Sequence, residues 1–200
     1  MAYRVAQGAS PRDAISGVPP VVLSNTRADE AAFKEVTREA GVLQVTGNVE
    51  NKRLIELLGE TLKEVSARRG QTFTGMGMLV YRHGVFSHKN HSDLRPSLPC
   101  PEDVLLGTKQ CTETLLSMSQ AENRLHDGFV LFNDAGRMTH VSQYFSPPIA
   151  KSVVPNEGFG GRFRAAQYGS LLEGVIAIGI VEHEGEYFLF SEEDGASNHV

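Results

Sequence analysis

Tryptophan is absent from the 200 residues, and cysteine occurs only twice, at Cys100 and Cys111. Two cysteines are too few for a disulfide framework and lack the paired spacing of a zinc site, so the sequence fits a reducing compartment. Positive charge is also in short supply. Nineteen Lys and Arg stand against 24 Asp and Glu, a net of −5, which excludes bulk attraction to a nucleic-acid backbone or an anionic membrane. No apolar run is long enough to span a bilayer, and the opening MAYRVAQGASPRDAISG has no signal-peptide core. A cytoplasmic protein without membrane contact is the expectation. What is present, 40% hydrophobic residues, suffices for one sizeable core.

Residues 1–48 read as an N-terminal extension. Gly8, Pro11, Gly17, Pro19 and Pro20 interrupt any period and predict a loose arm. Thr26 and Asp29 then resemble a capping box for a helix ending at Gly41, and GVLQVTGN reads as a short strand. From residue 49 order improves. NKRLIELLGETLKEVSARRG sets Leu54, Leu57, Leu58, Leu62 and Val65 on one helical face, and MGMLVYRHG follows as a strand buried on both sides. Residues 87–101 are polar and proline-broken and predict a loop. Val104, Thr108, Cys111, Leu115 and Met118 then predict a helix opened by Pro101. FVLF, NDAG and MTHVSQYF make a hairpin, RFRAAQYGSLL a helix, and VIAIGIV, EHEGE and YFLFS a second hairpin. This succession predicts an α/β (α+β) fold with a central mixed β-sheet flanked by helices on both faces.

Three segments carry candidate chemistry. In NEGFGGRFRAAQYG, Gly160 and Gly161 precede a helix that opens with Arg162 and Arg164. Glycine permits close backbone approach, a helix start offers unpaired N–H groups, and guanidinium grips phosphate bidentately, so the segment describes an anion cradle or else a solvated loop. In LHDGFVLF, Asp127 and Gly128 form either an Asx-type turn or the mouth of a cation-binding cleft. Phe129 and Phe163 serve either core packing or base stacking. His88 and His91 read as solvated loop histidines rather than metal ligands, while His126 and His183 adjoin candidate sites.

Taken in order, the helix ending at Gly70, the strand GMLVY, the LHDG step, the GGRFRAA helix start and the closing VIAIGIVEHEG hairpin resemble the diadenylate cyclase domain. The similarity covers roughly residues 50–200 and makes 49–200 a nucleotide-binding domain with a diadenylate-cyclase-like fold. It implies that Asp127 and Gly128 match the first two positions of an Asp-Gly-Ala motif whose carboxylate holds a divalent metal. It further implies that Gly160, Arg162 and Arg164 match the glycine and arginines of the phosphate-gripping Gly-Thr-Arg-His-Arg motif, and that Glu182 is an acid near metal and nucleotide. Phe129, Gly161 and Phe163 depart from that pattern, standing for alanine, threonine and histidine; Val181 and His183 replace a serine and a glutamate.

The resemblance thus implies a nucleotide or cyclic-dinucleotide sensor, derived from the cyclase fold and catalytically degenerate. Its site would comprise Asp127, Gly128, Phe129, Gly160, Gly161, Arg162, Phe163, Arg164 and Glu182. The alternative is an active enzyme condensing two ATP to cyclic di-AMP, with Asp127 catalytic and Asp127 and Glu182 holding Mg²⁺ or Mn²⁺ alongside the nucleotide. A homodimer is implied in either case. An interaction module with an empty pocket is the third reading.

Overall fold

The computed structural model describes residues 49–151, 153, 158–191 and 198–199; the arm, helix and strand expected over 1–48 lie outside the described residues. In helix α1 (residues 49–68), Leu54, Leu58, Leu62 and Val65 recur at steps of four and three and are all buried. That spacing draws one apolar stripe along a helix. On the outer side, the Glu64 carboxylate accepts from Arg68 at 2.9 Å and from the Thr112 hydroxyl of the next helix at 3.0 Å. The Arg68 hydrogen bond, followed by that of Thr112, holds Glu64 below its ordinary pKa.

Helix α2 (Lys109–Met118) begins eight residues after Pro101, not at it. Thr108 is the cap, its hydroxyl accepting from Cys111 N at 3.1 Å and satisfying a free first-turn amide. Val104 is buried nonetheless, and its carbonyl accepts from Met138 N at 2.9 Å. The helical repeat was therefore extended backwards into a loop that buries its apolar residues without being helical. Burial alone does not reveal the period.

The sheet comprises β1 (Met76–Tyr81), β2 (His91–Asp93), β3 (Phe129–Asn133), β4 (Met138–Phe145), β5 (Val175–Val181), β6 (Tyr187–Ser191) and β7 (Asn198–His199). Their order is β2-β4-β3-β1-β5-β6-β7, with β1 and β3 parallel and the other neighbouring pairs antiparallel. β2 and the 3-10 turn His88–Asn90 before it fall in the segment expected to be loop. Three residues are too few to display a period of two.

Side chains alternate across the pleat. Met78, Val80, Val130 and Phe132 pack with the α1 and α2 residues Leu58, Leu62, Cys111 and Leu115. Leu79, Leu131, Ile178 and Phe188 pack with Phe163 and Ala166 of α3 (Gly161–Gly169). Helices therefore cover both faces of a mixed sheet, as an α+β fold requires. Because β4 and β5 run against β1 and β3, the starts of β1 and β3 lie beside the ends of β4 and β5. The pairs Met76 with Val181, Gly77 with Phe129, and Phe129 with Gln143 mark this convergence.

Candidate functional site

The chain enters β3 through an Asx turn. Asn123 Oδ1 accepts from Leu125 N at 2.9 Å, and Asn123 O accepts from His126 N at 3.1 Å. Asp127 comes next, exposed, with Oδ1 accepting from Gly128 N at 2.9 Å. The Asx turn is closed by Asn123, and Asp127 bonds only the adjacent amide through one carboxylate oxygen. Among the described residues the other has no hydrogen-bond partner. Gly128 has φ +87°, and a Cβ there would lie 2.5 Å from Gln143 O, so both the conformation and the close approach require glycine.

Phe129 forms the floor. Its ring lies across Gly77 on the neighbouring strand, where a Cβ would stand 2.4 Å from it, and meets Phe145 edge-on with centroids 5.2 Å apart. Phe129 thus fills the space left by a glycine.

The opposite wall is the start of α3. Gly160 is its cap and has an extended backbone without a side-chain cap, so the first-turn amides are left for solvent or a ligand. The Arg162 guanidinium crosses Gly75, its Nη1 2.6 Å from where a Gly75 Cβ would stand. Glu182 follows β5, and its backbone N–H donates to Glu186 O at 2.8 Å. Among the described residues its buried Oε1 has no hydrogen-bond partner. A buried carboxylate oxygen without a donor is costly unless something from outside supplies one.

Asp127, Gly128, Phe129, Gly160, Gly161, Arg162 and Glu182 all line one cleft of about 640 Å³. That is within the range of small-molecule sites. Sequence reasoning missed the wall at the end of β4, where Gln143, Tyr144, Phe145, Ser146 and Pro147 join the lining, as do Leu94, Ala165 and Tyr168. The sequence MTHVSQYF carries no alternation that would mark it; only the fold shows that the polar Ser142 and Gln143 are both 1% exposed.

Two expected residues do not reach the cleft. Phe163 is 3% exposed, stacked on Phe159 at 3.9 Å and edge-on to Phe188 at 5.0 Å and Phe190 at 5.3 Å. Core packing is its role, and base stacking is excluded. Arg164 is half-buried and is not part of the lining. The cause is helical geometry: each residue turns the helix by about 100°, so Arg162 and Arg164 diverge by about 200°. His126 and His183 also turn away, their Nδ1 atoms bonded to the carbonyls of Asn123 and Phe73.

Fold and site together define a mixed-sheet α+β domain with a cleft where its central strands meet a helix start. No protein-family model matches the chain, and no curated protein is similar enough to match it. Among solved structures, it is similar to a hypothetical membrane spanning protein from Bacillus cereus, at 20% identity and a TM-score of 0.53, over 72% of this chain and 62% of that one. The chain thus spans less than two thirds of that structure. It is also similar to DacA from Staphylococcus aureus, a double mutant, at 17% identity and a TM-score of 0.49, over 74% of this chain and 87% of that one. At such identity the first likeness extends to the fold alone, and a TM-score below 0.5 carries no inference. None of the described helices is long and apolar enough to cross a membrane.

Proposed function

We propose that the cleft binds the phosphates of a nucleotide or cyclic dinucleotide, and that the chain is a sensor domain derived from the diadenylate cyclase fold. One observation carries this reading: the Arg162 guanidinium, the α3 start at Gly160 and Gly161, and the Asp127 carboxylate, distant in sequence, line the same cleft. Arg162 and the first-turn amides would take phosphate oxygens, and Asp127 a ribose hydroxyl or a metal. Phe163 lies in the core where the family has histidine, and Gly161 offers no hydroxyl, so the phosphate grip is poorer in side-chain donors than the family motif. Phosphoryl transfer depends on positioning and charge stabilisation, and losing such contacts costs rate more than binding.

Calorimetric titration with ATP and cyclic di-AMP tests the proposal. Arg162→Ala should weaken binding by about 1.5–3 kcal/mol, roughly 10- to 150-fold. Uniform absence of binding would instead favour the interaction-module reading.

The second reading, an active cyclase, is favoured by the unpartnered Oε1 of Glu182 in the cleft that Asp127 also lines. Two carboxylates suit a hard cation whose other ligands are phosphate oxygens and water. Among the described residues no group of three or more His, Cys, Asp or Glu is arranged to hold a metal ion, so the nucleotide would have to supply most of the coordination. Mg²⁺ or Mn²⁺ held there would acidify the attacking hydroxyl. Asp127-dependent formation of cyclic di-AMP from ATP and Mn²⁺ would select this reading. Sedimentation with and without ATP would test the homodimer.

A further inference from the structure

Among the described residues no hydrogen bond or ion pair engages the Arg162 guanidinium, although the residue is half-buried. A long side chain without partners ordinarily samples many rotamers and must give up that freedom when it grips a ligand. Here its position is limited by packing against a single residue, Gly75.

Gly75 is buried just ahead of β1, at φ +81°. A Cβ on it would stand 2.6 Å from Arg162 Nη1, 3.0 Å from Val181 O and 3.3 Å from His183 N. These neighbours describe a seat. On one side lies the guanidinium; on the other lies the backbone that flanks Glu182, a fellow lining residue of the cleft. Only a residue without a side chain lets the cation come so close to the end of β5.

The backbone on both sides of the seat is tied down. Met76 pairs with Val181 in the β1–β5 ladder, and Phe73 O accepts from His183 Nδ1. The Thr74 N–H donates to Ser119 O at 3.0 Å, and its hydroxyl proton is shared between Ser119 O at 3.1 Å and His126 O at 3.3 Å. The segment is thus fastened to the end of α2, to the residue before Asp127 and to the residue after Glu182. Val181 O and His183 N are backbone atoms held by this framework, whereas Arg162 Nη1 is the far end of a flexible side chain. A side chain placed at position 75 would therefore move Arg162 and leave the sheet where it is.

We propose that Gly75 is the positioning residue of the cleft, a seat that holds the Arg162 guanidinium against the end of β5 with its five N–H donors left for the phosphate oxygens of a ligand. That the seat serves phosphate rests on the cleft being a nucleotide site; the seat itself does not. A guanidinium placed in advance spares the ligand the entropy of ordering it.

A double-mutant cycle read by calorimetry with cyclic di-AMP tests the coupling. Gly75→Asn adds a side chain with little backbone penalty, because asparagine visits the left-handed region more readily than other side-chain-bearing residues. It should weaken binding about tenfold, as for the loss of one charged hydrogen bond. In an Arg162→Ala background the same substitution should change affinity by no more than about twofold, because a residue that acts only through Arg162 has nothing further to remove. Equal losses in the two backgrounds, or wild-type affinity in Gly75→Asn, would overturn the proposal. The second measurement needs neither ligand nor variant: ¹⁵N relaxation of the Arg162 Nε–Hε group in the full wild-type chain. A seated guanidinium should be ordered, and an order parameter below about 0.6, the flexible range, would overturn the seat even if Gly75→Asn fails to fold. Absence of binding by the wild-type chain would refute the nucleotide reading and leave the seat to be decided by relaxation.

Discussion

Gly128 shows how much one residue position can carry. Its φ of +87° costs an L-residue about 1–2 kcal/mol, and an added Cβ would also strike Gln143 O at 2.5 Å. Gly128→Ala should therefore destabilise the fold by more than that backbone figure and displace the β4 wall. A denaturant midpoint equal to wild type would contradict the close approach. Phe129 carries a different constraint: its ring occupies space that Gly77 leaves open, so the two positions are coupled across parallel strands. Its ring makes a large floor built over a small neighbour.

At the scale of elements, α3 separates two arginines that the sequence sets side by side. Arg162 faces the cleft, whereas Phe163 and Ala166 face the sheet. Arg164→Ala should leave nucleotide affinity within about twofold, the range of substitutions away from special features. Phe163→Ala should lower stability by about 3–5 kcal/mol, as for deletion of a buried aromatic side chain. Calorimetry on the first variant and denaturation of the second check the assignment; a strong affinity loss in Arg164→Ala would mean that the helix presents the wrong face. β2 makes the complementary point. Its three polar residues carry no pattern, yet their pairing with β4 makes one edge of the cleft wall. Long, periodic elements such as α1 and the two hairpins were legible because each repeats its burial requirement many times. β2, β7 and the true start of α2 were not, because each is settled by a few long-range or capping bonds.

For the whole molecule, pH acts on stability through His91 and His140, whose partial burial lowers the pKa. The folded pKa values of His91 and His140 lie below 6.5, so as pH falls through 6.5 the unfolded chain takes up protons before the folded one. Stability is then at its full value above 6.5 and declines on acidification. Glu64, lowered from 4.5, keeps its contribution above 4.5 and loses it only as pH falls through its folded pKa, so the two windows are separate. The Tm should fall between pH 7 and 5.5, and His140→Gln should flatten the slope; a Tm independent of pH over that range would count against the burial of these rings.

Composition and periodicity by themselves determined a mixed sheet covered by helices on both faces, because alternation and the 3.6-residue repeat are local demands that each segment meets alone. The motifs offered Asp127 and Arg162 as candidates, and the resemblance to the diadenylate cyclase domain added Glu182. Only the tertiary structure decided that these three share a cleft, that Arg164 and Phe163 do not line it, and that Gln143 belongs to its wall. The reason is strand order: β1 and β3 start where β4 and β5 end, and that juxtaposition is set by hydrogen-bonded pairing between segments as much as a hundred residues apart.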